Sequence, residues 1–385
     1  METIQEFAYG VANTKKATLF AEHMGLLHKE RHIYQFVRHP KKNRFSNMLL
    51  FNEGSVVLKE HPKDKEEPYY HANEVSTKFG HYILAQAPME NTVLEWYHMI
   101  WQKEVRIVVA LVDPVGKPDG CFPYFEAKKG NERKVKGWYT VRTVNARSEN
   151  ALSNYELKVS NKHEKEAGDR MVHVISISNW RHTHMAKPKE MVELLLNVWA
   201  EAKVVEGDDE GKTPVLVHGT AGVRRTSAFV AFATVAKSIT SKNQVCIPSF
   251  IRYLRQLRYG ALRNKTCYAT LICASLQYAF DKGHITTDKR TEYMKVMKMI
   301  PETVLGRAAA AAPSGGTPSA EVADTGGAEG EEGEGEEPPP ASAEKKKKKK
   351  SKEGGKSKEK GSKMSKAGAS GKGSGKDKKS RTRTK

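Results

Sequence analysis

The sequence predicts one α/β domain over residues 1–300, with a large twisted mixed sheet flanked by helices, and a disordered low-complexity tail over 301–385. Three observations carry this. Apolar spacing in the first 300 residues switches repeatedly between the period of a helix and that of a strand. Those 300 residues hold every Trp, Tyr and Phe. After Arg307 the chain is almost entirely Ala, Gly, Ser, Pro, Glu and Lys, which cannot bury enough surface to offset the entropy of ordering.

Taken in order, residues 12–38 read as a helix, with Leu19, Phe20, Met24, Leu26 and Leu27 spaced along one face. Residues 54–59, 81–86, 106–112, 137–145, 152–159 and 171–178 read as strands. A helix is expected over 91–103, opening at Asn91 or Thr92, and another over 188–202, with Met191, Leu194, Leu195 and Val198 on its apolar face. A short buried strand, Val215–Val217, then leads through a polar turn into a helix from Thr226 to about Ser238. Helices over 247–258, 268–281 and 286–299 complete the body, and no internal repeat is present.

Charge is distributed unevenly. The 385 residues carry a formal charge of +20, but residues 345–385 hold 19 Lys/Arg against 3 acids, and residues 321–344 hold nine acids and no base. Both the body and the Lys-rich end are therefore basic. Four cysteines, Cys121, Cys246, Cys267 and Cys273, form no CxxC pair and do not make a disulfide scaffold or a zinc ribbon. The N-terminal residues lack the apolar core of a signal peptide, and no run approaches 18 apolar residues. The expected setting is a reducing compartment, the cytoplasm, with the nucleus as an alternative if the lysines act as an import address.

The stretch richest in chemistry is Pro214-Val-Leu-Val-His-Gly-Thr-Ala-Gly-Val-Arg-Arg-Thr-Ser-Ala-Phe229. A buried strand feeds a turn of small residues, and a helix is expected just after Arg225. Such a turn aims backbone N–H groups at the positive end of a helix, a suitable seat for an anion. Arg225 adds a planar fork matched to phosphate. Read alone, the stretch is equally an ordinary strand–helix connection with two surface arginines.

The turn resembles the phosphate-binding loop of the protein tyrosine phosphatases, His-Cys-Ser-Ala-Gly-x-Gly-Arg-Thr-Gly. Further segments match that family in order. Lys42-Asn-Arg-Phe45 resembles its Lys-Asn-Arg-Tyr phosphotyrosine loop, and Tyr69-Tyr-His-Ala-Asn73 the Tyr-Ile-x-Ala-Asn that follows. Tyr82-Ile-Leu-Ala-Gln-Ala-Pro88 is similar to Tyr-Ile-Ala-Thr-Gln-Gly-Pro, and Glu95-Trp-Tyr-His-Met-Ile-Trp101 to Asp-Phe-Trp-x-Met-x-Trp. Cys121-Phe-Pro-Tyr-Phe125 and Arg255-Gln-Leu-Arg-Tyr-Gly-Ala261 resemble Lys-Cys-x-x-Tyr-Trp and Arg-x-x-Arg-x-Gly. The resemblance spans about residues 40–280 and implies the protein tyrosine phosphatase fold, in a divergent member of the kind abundant in nematodes.

It also implies a mechanism whose parts are replaced here. The family's nucleophile is a cysteine thiolate; its position is Gly219. The family's Trp-Pro-Asp loop supplies a general acid; the matching residues are Trp180-Arg181-His182. The glutamine that positions the hydrolytic water falls on Arg263, and the second glutamine of that motif on Cys267. No catalytic residue, metal or cofactor is expected. Phosphate binding is a separate matter. The matching positions are Thr220, Ala221, Gly222, Val223, Arg224 and Arg225, and the arginine that clamps phosphate in the family is kept as Arg225. Phe45 keeps the ring that would stack on phosphotyrosine and Met48 an apolar wall, while Asn47 replaces an aspartate that clamps the peptide backbone. Arg224 replaces a glycine: it distorts the turn if that position needs a positive φ, and adds positive charge if it does not.

The expected role is that of an inactive phosphatase-like protein that binds phosphotyrosine-containing proteins, a kinase or its substrate among them. The alternatives are a scaffold using other surfaces and residual hydrolysis through His182 or Thr220. The pair His182 and His184 reads as a solvent-exposed loop rather than a metal site, since no further ligand is near. Phe229, Val230, Phe232, Ala233 and Val235 read as core behind the turn. The lysine run from Lys345 is compatible with contact to acidic protein, nucleic acid or an anionic membrane surface, or with a solubilising tail.

Overall fold

In the computed structural model the described residues are 2–14, 31–60, 67–116, 120–177, 179–181, 184–207 and 213–305. Ten strands and eight α-helices follow in chain order among them. They are β1 (Glu2–Thr3), α1 (Ile4–Asn13), α2 (Tyr34–Arg38), β2 (Ala72–Thr77), β3 (Gly80–Gln86), α3 (Val93–Gln102), β4 (Ile107–Ala110), β5 (Glu132–Val135) and β6 (Tyr139–Glu149). After these come β7 (Leu152–Asn161), β8 (Arg170–Ile177), α4 (Pro188–Glu206), β9 (Val215–Gly219), α5 (Arg224–Lys242), β10 (Gln244–Val245), α6 (Ile247–Leu257), α7 (Lys265–Asp281) and α8 (Arg290–Leu305).

Eight strands form one mixed sheet in the order β2-β3-β9-β4-β8-β7-β6-β5. Its middle is parallel: β9 lies between β3 and β4, and β4 pairs with β8. The outer strands run antiparallel. The parallel strands are buried on both faces, which explains their continuous apolar runs. Neighbouring residues go to opposite sides. Ile83, Val108, Val174 and Leu216 pack with Trp96, Tyr97 and Ile100 of α3. Leu84, Val109, Ile175 and Val217 face the larger layer of α4, α5, α6 and α7.

The N-terminal helix differs from the expected helix over 12–38. A capping box at Thr3 and Glu6 starts α1 earlier, and Thr14, in an extended conformation, ends it. A separate short helix, α2, occupies 34–38, and residues 15–30, with the apolar positions used to predict the helix, lie outside the described residues. Residues 54–59 are not a strand; a single bridge, Ser55 to Asn73, is all the pairing they make. The apolar Val56 and Leu58 point inward from a loop, and alternation alone does not distinguish that from a sheet. Strands β1, β2, β5 and β10 were not foreseen. The last helix runs past residue 300 to Leu305, and the chain from 306 onward lies outside the described residues.

Candidate functional site

In an open sheet with parallel strands, a ligand crevice forms beyond their carboxyl ends. Strand β9 ends there, and its last residue, Gly219, stands opposite Gln86 at the end of β3. The chain then turns through residues 220–223 and enters α5 at Arg224.

The turn is held from outside by its carbonyls. The Ala87 N–H donates to the Thr220 oxygen at 3.1 Å. Arg258, wholly buried, donates from Nε to the Gly222 oxygen at 2.9 Å and from Nη2 to the Ala221 oxygen at 3.0 Å, while Nη1 reaches Asn73 Oδ1 at 2.9 Å. A trans peptide points its N–H opposite to its C=O. Three carbonyls drawn outward therefore leave the N–H groups inside the turn, at the start of a 19-residue helix. Burial lowers the Arg258 pKa to about 9.

The two glycines of this turn differ. Gly222 has φ +65°, and a Cβ there would lie 2.1 Å from the Ala85 oxygen, so only glycine fits. Gly219 has no such φ, and a Cβ there would touch only Thr226 Cγ2, at 3.7 Å. Nothing in the backbone requires glycine at 219. Arg224 is the first residue of α5 and is not among the residues with positive φ, so arginine is carried without left-handed strain. The helix opens two residues earlier than its sequence expectation at Thr226.

Arg225 donates from Nη1 to the Leu111 oxygen at 2.6 Å and the Trp180 oxygen at 2.7 Å, and from Nη2 to Thr220 Oγ1 at 3.2 Å. All three acceptors are neutral. Burial lowers its pKa to about 10, and the neighbouring Arg224 acts in the same direction. His218, beneath the turn, is fully buried against Trp96 and Tyr124, with Nε2 3.0 Å from the Tyr124 hydroxyl. Burial first, then Arg225 and Arg44, lowers its pKa to about 3, so the ring is neutral.

The segment 42–48 is fastened to the same corner. Gln86, opposite Gly219, donates from Nε2 to the Lys42 oxygen at 2.8 Å and accepts from the Arg44 N–H at 3.1 Å. Lys42 Nζ sits 2.8 Å from Glu95 of α3 and 3.0 Å from the Glu67 oxygen. Arg44 Nη2 reaches the Pro88 oxygen at 3.0 Å, and His71 Nε2 donates to the Met48 oxygen at 2.8 Å. Phe45 and Met48 are half-buried, and Asn47 is exposed.

The remaining positions divide. Trp180 is buried, its indole N–H donating to the His184 oxygen at 3.1 Å, and Arg181 beside it is exposed. His182 lies outside the described residues. Arg263 is exposed at the entry to α7. Cys267, in the first turn of α7, is buried; burial raises its thiol to about 11, against the opposing pull of Arg225 and then Arg224. Phe229, Val230, Phe232, Ala233 and Val235 are all core. Sequence reading assigned no role to Arg258 or to the Leu111 and Trp180 carbonyls. Backbone acceptors carry no signature in a side-chain pattern, and the only sign of Arg258 was its place in the Arg-x-x-Arg-x-Gly segment.

Comparison with known proteins gives a consistent result. The family model described as protein-tyrosine phosphatase matches residues 39–277. The chain is 27% identical over 239 residues to receptor-type tyrosine-protein phosphatase R of Rattus norvegicus, covering 60% of this chain and 34% of that protein. It is 25% identical over 236 residues to tyrosine-protein phosphatase non-receptor type 7 of Mus musculus, covering 60% and 62%. To tyrosine phosphatase H3 of Microplitis demolitor bracovirus it is 21% identical over 244 residues, covering 58% and 75%. The chain thus spans about a third of the receptor-type relative's length.

Proposed function

The chain belongs to the protein-tyrosine phosphatase family, and we propose that it is a catalytically silent member whose turn at Gly219–Arg225 still binds phosphotyrosine. The observation that carries this reading is Gly219. It stands where the family's thiolate nucleophile stands, in a backbone that would accept a side chain, so its glycine removes chemistry without serving the fold. Thr220 is a poor substitute, since its Oγ1 accepts from Arg225 and no base is bonded to it among the described residues.

Retained anion binding is supported by charge. Six departures from the family pattern each change the charge in the positive direction. Glycine replaces a thiolate at 219, Asn47 and His182 replace carboxylates, and Arg181, Arg224 and Arg263 replace uncharged residues. Arg225 makes no ion pair with a carboxylate among the described residues. A buried guanidinium at a helix N-terminus, with its local anions removed, favours an incoming dianion. The partner on this reading is a phosphotyrosine-containing protein, shielded from other enzymes in the cytoplasm. No helix among the described residues is long and apolar enough to cross a membrane.

Calorimetry with a phosphotyrosine peptide, alongside turnover of an aryl phosphate, tests the reading. Micromolar binding to the full chain is expected, lost in Arg225→Ala, with no turnover. Hydrolysis by the wild type that Thr220→Ala abolishes would make it an enzyme; absence of binding would leave the turn vestigial.

A further inference from the structure

The two edges of the eight-stranded sheet are finished differently. At β2 the chain closes the edge itself. The Val56 N–H donates to the Ala72 oxygen at 2.9 Å, the Glu74 N–H to the Gly54 oxygen at 2.8 Å, and Ser55 bridges to Asn73. At β5 no such cover exists among the described residues. The Thr143 N–H donates to the Asn131 oxygen at 3.0 Å, which sets the alternation along the antiparallel pair of β5 and β6. Arg133 and Val135 therefore turn their backbone groups towards β6, and Glu132 and Lys134 turn theirs outward. The strand is anchored on its inner side: Val135 is buried in the core, and the Arg133 guanidinium lies 5.5 Å from the centre of the Phe122 ring.

Charge decides what this edge accepts. Lys128, Lys129, Lys134 and Lys136 are exposed and make no ion pair among the described residues. The acids beside them are engaged, Glu126 at 3.0 Å from Arg133 and Glu132 at 3.9 Å from Arg142. A lysine-rich edge repels a second copy of itself and resists apolar strands. The same excess of positive charge complements an acidic chain.

We propose that β5 is a docking edge for an extended acidic segment of a partner protein, which adds to the sheet as a further strand and sets its carboxylates among these four lysines. The backbone groups of Glu132 and Lys134 supply the ladder, and the lysines supply the selection. The edge lies five strands, about 24 Å, across the sheet from β9. It is thus separate from the turn at Gly219–Arg225 and does not depend on phosphate binding.

The test uses the full chain and two peptides of equal charge, one alternating Glu and Val, the other alternating Glu and Pro. The second cannot extend a ladder. Titration calorimetry should show the Glu-Val peptide binding at least about tenfold more tightly than the Glu-Pro peptide, the equivalent of a ladder hydrogen bond or two. Hydrogen exchange at the Lys134 amide should slow when the Glu-Val peptide is bound. Lys134→Pro removes an outward N–H and leaves the bonds to β6 in place, so it should melt within a few degrees of wild type and lose about tenfold in affinity. Lys134→Glu with Lys136→Glu should lose at least as much, by charge. Equal binding of the two peptides overturns the proposal, as does unchanged affinity in Lys134→Pro. Either result would mean attraction by charge alone, to which the lysines of residues 345–385 contribute. Failure of wild type to bind the Glu-Val peptide, with a single-stranded oligonucleotide bound instead, would overturn it in favour of a nucleic-acid contact.

Discussion

Two glycines three residues apart, in one turn, answer to different constraints. At Gly222 the left-handed backbone and the Ala85 carbonyl, 2.1 Å from a would-be Cβ, exclude every other residue. Gly222→Ala should cost about 3 kcal/mol or more, from strain plus displacement of β3, read by urea denaturation. At Gly219 the space is open. Gly219→Cys is therefore expected to fold with a melting temperature within a few degrees of wild type. Its thiol would face the start of α5 and Arg225, so it should titrate below the ordinary cysteine range of about 8.5. Ultraviolet absorbance of the thiolate against pH checks this. A thiol titrating at or above that range would mean that the turn does not present its N–H groups inward. Cys267 shows the opposite case: Arg224 and Arg225 pull its pKa down, but burial outweighs them and leaves it near 11.

At the scale of elements, the site depends on buried polar ties that join segments distant in sequence. Lys42 and Glu95 are nearly inaccessible and meet at 2.8 Å, fastening the segment before Phe45 to α3. Replacing both with apolar residues is often neutral, but removing one partner strands a buried charge. Glu95→Gln should thus destabilise the protein by about 3–5 kcal/mol and weaken phosphotyrosine binding, measured by denaturation and calorimetry. Destabilisation below about 1 kcal/mol would show that Lys42 finds enough in the Glu67 carbonyl. Central strands and amphipathic helices were readable from spacing: β3, β4, β7, β8, α3, α4 and α6 lie where apolar runs and caps placed them. The edge was less readable. Residues 54–59 alternate like a strand but pair only through Ser55, because pairing depends on a neighbouring backbone that local sequence does not encode. Strand β5 is polar and largely exposed, and its place at the sheet edge comes from β6.

For the molecule as a whole, two fully buried histidines make stability depend on pH. His71 and His218 each have a pKa lowered to about 3, chiefly by burial, with Arg258 adding to the effect at His71 and Arg225 at His218. Unfolded histidine takes up its proton near pH 6.5. Above that pH neither state is protonated and stability is at its full value. As pH falls from about 6.5 towards 3, the unfolded state binds the extra protons. Each histidine then removes about 1.4 kcal/mol per pH unit. Denaturation of wild type and His218→Asn between pH 4 and 6 should show slopes differing by about that amount; parallel slopes would mean that His218 is charged in the fold.

The sequence by itself determined the α/β class, the core behind the turn and the order of the family segments. These follow from periodicity and from short motifs, which are local. Tertiary structure alone decided that Arg224 enters a helix without strain, that glycine at 219 is not required by the backbone, and that Arg225 is held by neutral carbonyls from β4's end and the Trp180 loop. It also decided that Thr226 is buried without a partner. Each of these depends on atoms brought together from distant parts of the chain. Whether a buried donor is satisfied is a property of that assembly, not of the residue that carries it.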